Sequence, residues 1–169
     1  IVKLQKMKIH FEVKPFDSLT VHELYQVLAL RQDVFIVEQA CLFQDIDGQD
    51  SQAFHCLGKD ETGDIVAYTR LFAKDISYEG YVSIGRVVTA QKARKEGVGR
   101  QLMQYSIDIC HKWWLHEDIK IGAQSYLKTF YGSLGFVDTG IDYVEDGIPH
   151  VYMIYPASSL TSNSIGSEF

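Results

Sequence analysis

The chain has 169 residues, of which 46% are hydrophobic and 22% are charged, so it can form a globular domain with a sizeable core. Its 16 lysines and arginines and 22 aspartates and glutamates leave a net charge of -6, which argues against nucleic acid as the main partner. The sequence shows no secretory signal, no apolar stretch near the ~20 residues of a membrane helix, and no cysteine spacing typical of a disulfide framework or a zinc site. We therefore expect a cytoplasmic protein that does not bind membranes.

The first half of the chain predicts one helix among four strands. Apolar residues alternate with polar ones over residues 9–13, which is typical of a strand with one buried face. Thr20 and Glu23 form a capping box, and the spacing of apolar residues from Leu24 to Phe35 predicts an amphipathic helix. A polar, turn-rich loop follows, and three strands come after it. The loop covers residues 39–52, and the strands cover residues 53–59, 64–73 and 81–89.

The second half of the chain predicts two helices and three strands. The last two strands flank Asp146 and Gly147, a dipeptide typical of hairpin turns. The complete order βαβββαβαββ favours an α/β (α+β) fold with helices on a mixed, mainly antiparallel central sheet. We expect one domain over residues 8–156, and ends at 1–7 and 157–169 that are flexible or foreign to the natural chain. The predicted helices cover residues 97–115 and 125–134, and the strands cover 118–123, 136–143 and 150–155.

A strand that runs through a glycine-containing turn into a helix carries the strongest chemical signal. The strand includes Val88, and the glycines Gly97 and Gly99 stand where the helix begins. Backbone N–H groups at a helix N-terminus lack internal partners and carry partial positive charge, so a phosphate can bind there. Arg94 and Arg100 add positive charge beside the turn. A glycine-rich turn before an ordinary amphipathic helix is the alternative interpretation.

Two other phosphate-binding motifs do not fit this segment. The turn lacks the Gly-Lys-Ser/Thr ending of a P-loop. A dinucleotide-binding fingerprint requires a third glycine, and Leu102 stands at that position. The segment therefore predicts a phosphate site of a different kind.

The motif Arg94-x-x-Gly97-x-Gly99, after a valine-rich strand, resembles the acetyl-CoA pyrophosphate loop of the GNAT N-acetyltransferases. The later segment Phe-Tyr-x-x-x-Gly-Phe, from Phe130 to Phe136, resembles a second segment of the same family. Other stretches are similar to the ElaA branch of the family. The ElaA-like stretches are residues 30–39 with 44–48, and residues 146–150. These two stretches and the two motifs above make four blocks, which follow one another in the same order as in the family and cover most of the predicted domain.

The resemblance implies an acetyl-CoA-dependent N-acyltransferase that moves an acetyl group to a primary amine by direct attack in a ternary complex. In the family the pantetheine arm lies beside the central strand, where Arg86, Val87 and Val88 would supply backbone groups. Tyr131 matches a tyrosine near the thioester sulfur, which would protonate the departing thiolate. Without the resemblance, Tyr131 also fits a core aromatic residue. The coenzyme pyrophosphate would be held by the main chain at Arg94, Lys95, Glu96, Gly97, Val98, Gly99 and Arg100.

The amine must lose a proton before it attacks, and two residues are candidates for the base. Glu38 stands just before the long loop, although a single glutamate is usually a solvated surface residue. His150 is the second candidate, because histidine as a residue type is suited to proton transfer, although a lone histidine in a strand is usually structural. We rank Glu38 slightly ahead of His150. The backbone N–H of Val88 would stabilise the oxyanion.

Arg31 lies on the apolar face of the predicted first helix, where a charge must be paired. Its possible partners are Asp45, Asp47 and Glu38. Arg31 either braces the loop or binds an acidic group of the acceptor, and we favour bracing. The residues expected to bind the acceptor are Arg31, Glu38, Gln39 and His150.

The sequence also gives expectations about binding partners. We expect the acceptor to be a small-molecule or peptide amine and the protein to be a monomer or a homodimer, and no set of side chains predicts a metal site. A non-catalytic acetyl-CoA sensor or partner-binding module is one alternative. A second alternative is an enzyme like the acyl-homoserine lactone synthases, because Arg-x-x-Val-Phe-x-x-Glu-Gln is similar to a block of those enzymes. They are longer and use a carrier protein, so the pyrophosphate loop favours free acetyl-CoA.

Overall fold

Seven strands and three α-helices follow one another within residues 6–157, the part of the chain that the computed structural model describes. Their order confirms the predicted βαβββαβαββ. Residues 1–5 and 158–169, which belong to the ends expected to be flexible or foreign, lie outside the described residues. The strands are β1 (His10–Pro15), β2 (Phe54–Lys59), β3 (Ile65–Phe72), β4 (Val82–Thr89), β5 (Ile119–Gln124), β6 (Val137–Glu145) and β7 (Ile148–Tyr155). The helices are α1 (Val21–Arg31), α2 (Val98–Trp113) and α3 (Lys128–Leu134).

The strands form one sheet in the order β1-β2-β3-β4-β5-β7-β6. β1 pairs antiparallel with β2, and β7 pairs antiparallel with both β5 and β6. β4 and β5 pair in parallel, with Val82 opposite Ile119 and Ser83 opposite Lys120. The predicted mixed, mainly antiparallel sheet is therefore confirmed.

The described residues divide into two compact units, each formed by two stretches of sequence. The chain passes from the first unit to the second within β3, returns within β4, and passes to the second again within α2. The expectation of a single domain over residues 8–156 stays a prediction. The first unit comprises residues 6–70 and 86–106, and the second comprises residues 71–85 and 107–157.

In the first unit, α1 and the beginning of α2 pack on opposite faces of the strands. Val27 of α1 belongs to the same apolar cluster as Leu57 of β2. Leu102 of α2 belongs to another cluster, which includes Cys56 of β2. Successive side chains of a strand point to opposite faces, so the neighbours Cys56 and Leu57 place the two helices on opposite sides. The strand β3 is consequently buried at all eight of its residues.

In the second unit, aromatic rings pack against one face of β5 and β7. The ring of Tyr155 lies 5.1 Å from that of His111 and 5.4 Å from that of Phe136, between centroids. Phe136 in turn lies 5.9 Å from Tyr131 of α3. Alternate residues of β5 are buried on this face, which leaves the residues between them on the other face. The buried residues are Ile119, Ile121 and Ala123, and the others are Lys120, Gly122 and Gln124.

The first helix begins as predicted but changes its geometry near its end. Thr20 accepts a hydrogen bond from the N–H of Glu23, and Glu23 accepts one from the N–H of Thr20, which confirms the capping box. After Arg31 the chain continues as a π-helix over Gln32–Glu38, with one bond from the N–H of Gln39 to the carbonyl of Val34 at 3.1 Å. The expectation of an α-helix through Phe35 was therefore wrong for these residues, because apolar spacing over one or two turns does not distinguish the two helix types.

Buried ion pairs fix the loop over residues 39–52 in the first unit. Arg31, the last residue of α1, is 0% exposed. Its Nε donates to Asp45 Oδ2 at 2.9 Å, and its Nη1 donates to Asp50 Oδ1 at 2.8 Å. Its Nη2 donates to the carbonyl oxygen of Asp45 at 3.0 Å. Loop bracing, which the sequence favoured, therefore accounts for this buried charge.

Two further arginines join the same loop. Arg70 of β3 donates to both carboxylate oxygens of Asp47, at 2.8 and 2.7 Å, and to Asp50 at 3.1 Å. Arg86 of β4 donates to the carbonyl of Asp45 at 3.0 Å, and its Nε forms an ion pair with Asp45 Oδ1 at 2.8 Å that is not aligned as a hydrogen bond. Burial by itself raises the pKa of Asp47, but the hydrogen bonds from Arg70 and Gln49 and the charges of Arg70 and Arg86 together outweigh it and lower that pKa to about 2. We call these three arginines with Asp45, Asp47 and Asp50 the Arg–Asp network.

Replacing Asp50 by asparagine removes a carboxylate that contacts both Arg31 and Arg70. Because this leaves buried positive charge without its partner, we expect the free energy of unfolding to fall by about 3 kcal/mol or more. Urea denaturation measures the change. Asp64→Asn is the matched control, because Asp64 is 62% exposed in its ion pair with Lys92 and such surface pairs contribute about 1 kcal/mol or less. Equal losses in the two variants would contradict the role given to the network.

Candidate functional site

The turn before α2 presents main-chain donors at the start of the helix. The N–H of Gln101 donates to the carbonyl of Gly97 at 3.2 Å, which is the first bond of the helical pattern. The N–H groups of Val98 and Gly99 precede it and lie at the positive end of the helix dipole. The first turn of α2, which is described in full, contains no acidic side chain. The backbone geometry therefore suits an anionic group.

The two glycines of this turn serve different purposes. Gly97 adopts a φ of +74°, a left-handed conformation in which any side chain is strained. Gly99 has no such conformation, and a Cβ placed on it would meet a methyl group of Thr89 at 4.0 Å, an ordinary contact. An alanine at position 99 therefore fits the protein itself, and its methyl group would obstruct only a ligand that approaches the backbone closely.

Arg94 of this turn forms an ion pair with Glu38 at the end of the π-helix. Its Nη1 donates to Glu38 Oε1, and its Nη2 donates to Glu38 Oε2 at 2.9 Å. The Nη2 group also donates to the carbonyl of Thr89 at 3.1 Å. The hydrogen bond from Arg94 lowers the pKa of Glu38, so this carboxylate is a weaker base than a free one. The structure thus brings together a predicted base and the predicted pyrophosphate turn.

The segment of β4 predicted to bind pantetheine has an irregular backbone. Arg86 adopts a φ of +48°, a left-handed conformation that is unusual for a residue other than glycine. Its side chain is anchored in the Arg–Asp network and lies 5.4 Å from the ring centroid of Phe43. The parallel register with β5 ends at Ser83, so Arg86, Val87 and Val88 lie beyond the paired residues.

Tyr131 lies on α3 in the second unit, within a group of aromatic rings. It is 6% exposed, and its ring centroid lies 5.2 Å from Phe130 and 5.9 Å from Phe136. Burial raises the pKa of Tyr131, so the phenol keeps its proton at neutral pH. Both interpretations of the sequence, a core aromatic residue and a proton donor, agree with this environment.

His150 lies on β7 of the second unit, where its backbone pairs with Gln124 and Tyr143. Its Nδ1 lies 2.7 Å from the carbonyl oxygen of Ile148, which can only accept, so Nδ1 carries the proton in the neutral ring. The Nε2 atom then has a lone pair, and it lies 3.8 Å from Oε2 of Glu145. This tautomer is the one that a base acting through Nε2 requires.

The remaining predicted residues lie in the first unit. Lys95 is exposed with a φ of +67°, and Arg100 is exposed in the first turn of α2. Glu96 is half-buried and accepts a hydrogen bond from the N–H of Met7 at 3.5 Å. Gln39 is half-buried, at the end of the π-helix. These placements leave the expected binding roles as predictions.

One arrangement of side chains in each unit was not predicted from the sequence. Asp50 was not recognised as a partner of Arg31, although Arg70, a charged residue within an apolar strand, signals that the loop must supply more carboxylates. In the second unit, a cluster of tyrosines surrounds Lys120 on β5. Its members are far apart in sequence, and no spacing rule connects them.

Residues 6–157 contain no group of three or more histidine, cysteine, aspartate or glutamate residues placed to hold a metal ion. Within the same residues, each helix is too short or too polar to traverse a lipid bilayer.

The family model, the relatives and the solved structures that match this chain all indicate the same family. A model described as an acetyltransferase (GNAT) domain matches residues 22–156. The protein ElaA of Escherichia coli K12 is 43% identical over 138 residues, which cover 80% of this chain and 89% of ElaA. The crystal structure of E. coli ElaA has a TM-score of 0.80 and 40% identity, over 87% of this chain and 99% of that one. An acyl-CoA N-acyltransferase from Pseudomonas aeruginosa has a TM-score of 0.80 and 38% identity over the same shares.

The chain therefore belongs to the GNAT family of acetyltransferases, and its mainly antiparallel sheet with flanking helices is the GNAT fold. Within the family it is similar to ElaA over most of its length, which confirms the predicted branch. Family membership supports acyltransferase activity in general. A more distant neighbour, the GNAT protein YhbS of E. coli in complex with CoA, shares the fold with a TM-score of 0.61 and 14% identity over 90% of this chain and 83% of that one.

Replacing Gly99 by alanine should weaken acetyl-CoA binding without destabilising the protein. The methyl group is accommodated by the chain itself, and alanine has a higher helix propensity than glycine by about 1 kcal/mol in a helix interior. We expect the Kd for acetyl-CoA, measured by calorimetry, to rise by about tenfold or more, which corresponds to about 1.4 kcal/mol. Gly132→Ala is the control, because a Cβ at this position in α3 meets no atom within 4 Å and is likewise accommodated. An unchanged Kd in Gly99→Ala would remove this turn from the coenzyme site.

Proposed function

We propose that the protein is an N-acetyltransferase that moves an acetyl group from acetyl-CoA to a primary amine, by direct attack within a ternary complex. The observation that carries the proposal is the turn before α2, where a left-handed Gly97 and the N–H groups of Val98 and Gly99 are arranged for an anion. The family of the chain supports the choice of coenzyme. The expected cytoplasmic location stays a prediction.

The coenzyme would contact the chain through main-chain groups of the first unit. The N–H groups from Arg94 to Arg100 would hold the pyrophosphate, with the positive end of the α2 dipole behind them. The backbone of Arg86, Val87 and Val88 would pair with the amides of pantetheine as an added strand does. These residues lie beyond the β4–β5 register, which supports their availability.

The reaction needs a base, an oxyanion donor and an acid. The neutral amine nitrogen would attack the acetyl carbonyl and form the C–N bond, while the N–H of Val88 donates to the oxyanion. Collapse of the tetrahedral intermediate would break the C–S bond. Tyr131 would give its proton to the thiolate, and the base would take the proton from nitrogen. The buried, protonated state of Tyr131 supports this role.

The environments of the two candidate bases favour His150 over Glu38. Glu38 is held in an ion pair by Arg94, which lowers its pKa. The Nε2 atom of His150 carries a lone pair, because Nδ1 donates to Ile148. We therefore propose His150 as the base and Glu38 as a residue that positions Arg94, which reverses the order given by the sequence alone.

A panel of primary amines tests the proposed activity through release of the free thiol from acetyl-CoA. Tyr131→Phe should lower kcat by about tenfold or more, because general acid catalysis contributes about 10²-fold or more, while the Kd for acetyl-CoA stays within about twofold. Tyr126→Phe is the control, since Tyr126 is 74% exposed. Full activity of Tyr131→Phe would transfer the acid role to water, and coenzyme binding without turnover across the panel would favour a sensor.

The choice between the two bases predicts opposite effects for two amide variants. His150→Gln should lower kcat by about 10²-fold, because general base catalysis contributes about this factor. Glu38→Gln should keep kcat within about threefold of the unmodified protein and change the KM for acetyl-CoA, because Arg94 loses its ion-pair partner. Steady-state kinetics measures both. If instead Glu38→Gln loses kcat and His150→Gln keeps it, Glu38 is the base.

A further inference from the structure

Lys120 on β5 lies within a cluster of tyrosine rings in the second unit. Its Nζ is 4.4 Å from the ring centroid of Tyr152, 4.9 Å from Tyr78 and 5.2 Å from Tyr81. Cation–π contacts of this kind hold an ammonium group without neutralising it. Within residues 6–157 no aspartate or glutamate forms an ion pair with Lys120, and the residue is half-buried. The protein therefore presents a positioned cation whose charge is not balanced by a carboxylate of the described chain.

Two tyrosine hydroxyl groups converge over Gly122, which lies two residues after Lys120 on the same face of β5. A Cβ built on Gly122 would clash with the hydroxyl of Tyr143 and lie 3.2 Å from that of Tyr78. The absence of a side chain at Gly122 is thus what lets the Tyr143 hydroxyl lie over the strand. In the described chain neither hydroxyl forms a hydrogen bond. Burial raises the pKa of both, that of Tyr78 to about 12, so both are donors at neutral pH.

The cluster continues towards the proposed base. The ring of Tyr143 stacks on His150 with centroids 5.2 Å apart, and on Tyr152 with centroids 4.3 Å apart. The carboxylate of Glu145 lies 3.8 Å from Nε2 of His150, is exposed, and acts electrostatically on Tyr78 and Tyr143. The face of the second unit thus has positive charge and hydroxyl donors at Lys120, and negative charge at Glu145. A molecule with both an amine and an acidic group matches this distribution of charge.

We propose that Lys120, Tyr78 and Tyr143 bind a carboxylate of the acceptor, so that the substrates are primary amines that also carry a carboxylate. The ammonium supplies the charge, and the two hydroxyls donate hydrogen bonds to the oxygens. Glu145 attracts the protonated amine towards His150, which removes its proton. The specificity proposed here rests on the acetyltransferase function proposed above, but the carboxylate site itself exists independently of any reaction.

Matched pairs of amines test the specificity. Amino acids of increasing length, from glycine to 6-aminohexanoate, are compared with alkylamines of the same length that lack the carboxylate. We expect the best amino acid to have a kcat/KM at least about tenfold above that of its alkylamine. The alkylamine has no carboxylate to accept the charge-assisted hydrogen bonds from Lys120 and the two hydroxyls. Equal kcat/KM values within every pair would overturn the proposal and leave the acetyltransferase function intact.

Variants of Lys120 distinguish the effect of its charge on specificity from an effect on folding. Lys120→Met should remove the preference for carboxylated amines over alkylamines, and Lys120→Arg should restore the preference. The control is Lys128→Met, because Lys128 is an exposed lysine of the same unit whose ion pair is with Asp138, at 3.0 Å. Circular dichroism verifies the fold of each variant. A loss of activity in Lys120→Met that is the same for both classes of amine would contradict the assignment.

A binding measurement without acetyl-CoA distinguishes failure of this proposal from failure of the proposed function. Sodium hexanoate, a carboxylate without an amine, is titrated while the tyrosine fluorescence is recorded. Saturable binding that is weakened about tenfold in Lys120→Met, and also in the double variant Tyr78→Phe with Tyr143→Phe, supports the carboxylate site even if no amine is acetylated. Hexanoate binding that is absent, or that is the same in all of these proteins, overturns it.

Discussion

The guanidinium group of Arg31 is completely buried, and its charge has to be neutralised inside the protein. The carboxylates that do this, Asp45 and Asp50, both come from the loop over residues 39–52. Arg70 adds a second buried charge from the middle of β3 and contacts the same loop. Charge pairing therefore anchors the second half of this loop within the first unit.

The same pairing extends to the residues proposed to bind the coenzyme. Arg86 belongs to the network through its side chain, while its backbone holds a left-handed conformation within β4. Such a conformation costs of the order of 1–3 kcal/mol and persists only where surrounding contacts impose it. The contacts with Asp45 and Asp47 are of this kind. The shape of the strand beside the proposed pantetheine site is thus coupled to the loop that precedes β2.

The sequence was sufficient for the element order, the capping box and the turn before α2, because each depends on residues close together in the chain. Gly97, for example, is required by the backbone of a single turn. The π-helix could not be predicted, since it differs from an α-helix by the position of hydrogen bonds and not by an apolar pattern. The contacts of Asp50 with Arg70 and of Lys120 with Tyr152 join residues that are distant in sequence, so only the folded chain reveals them.

The π-helix at Gln32–Glu38 also limits how this region can vary. Each residue added to or removed from an α-helix turns everything after it by about 100°, and a residue of the wider π-helix turns it by somewhat less. Loss of one residue between Arg31 and Glu38 would move the Glu38 carboxylate away from Arg94, because Arg31 is held in place by Asp45. The number of residues between these two anchors is consequently determined by the positions of their ion-pair partners.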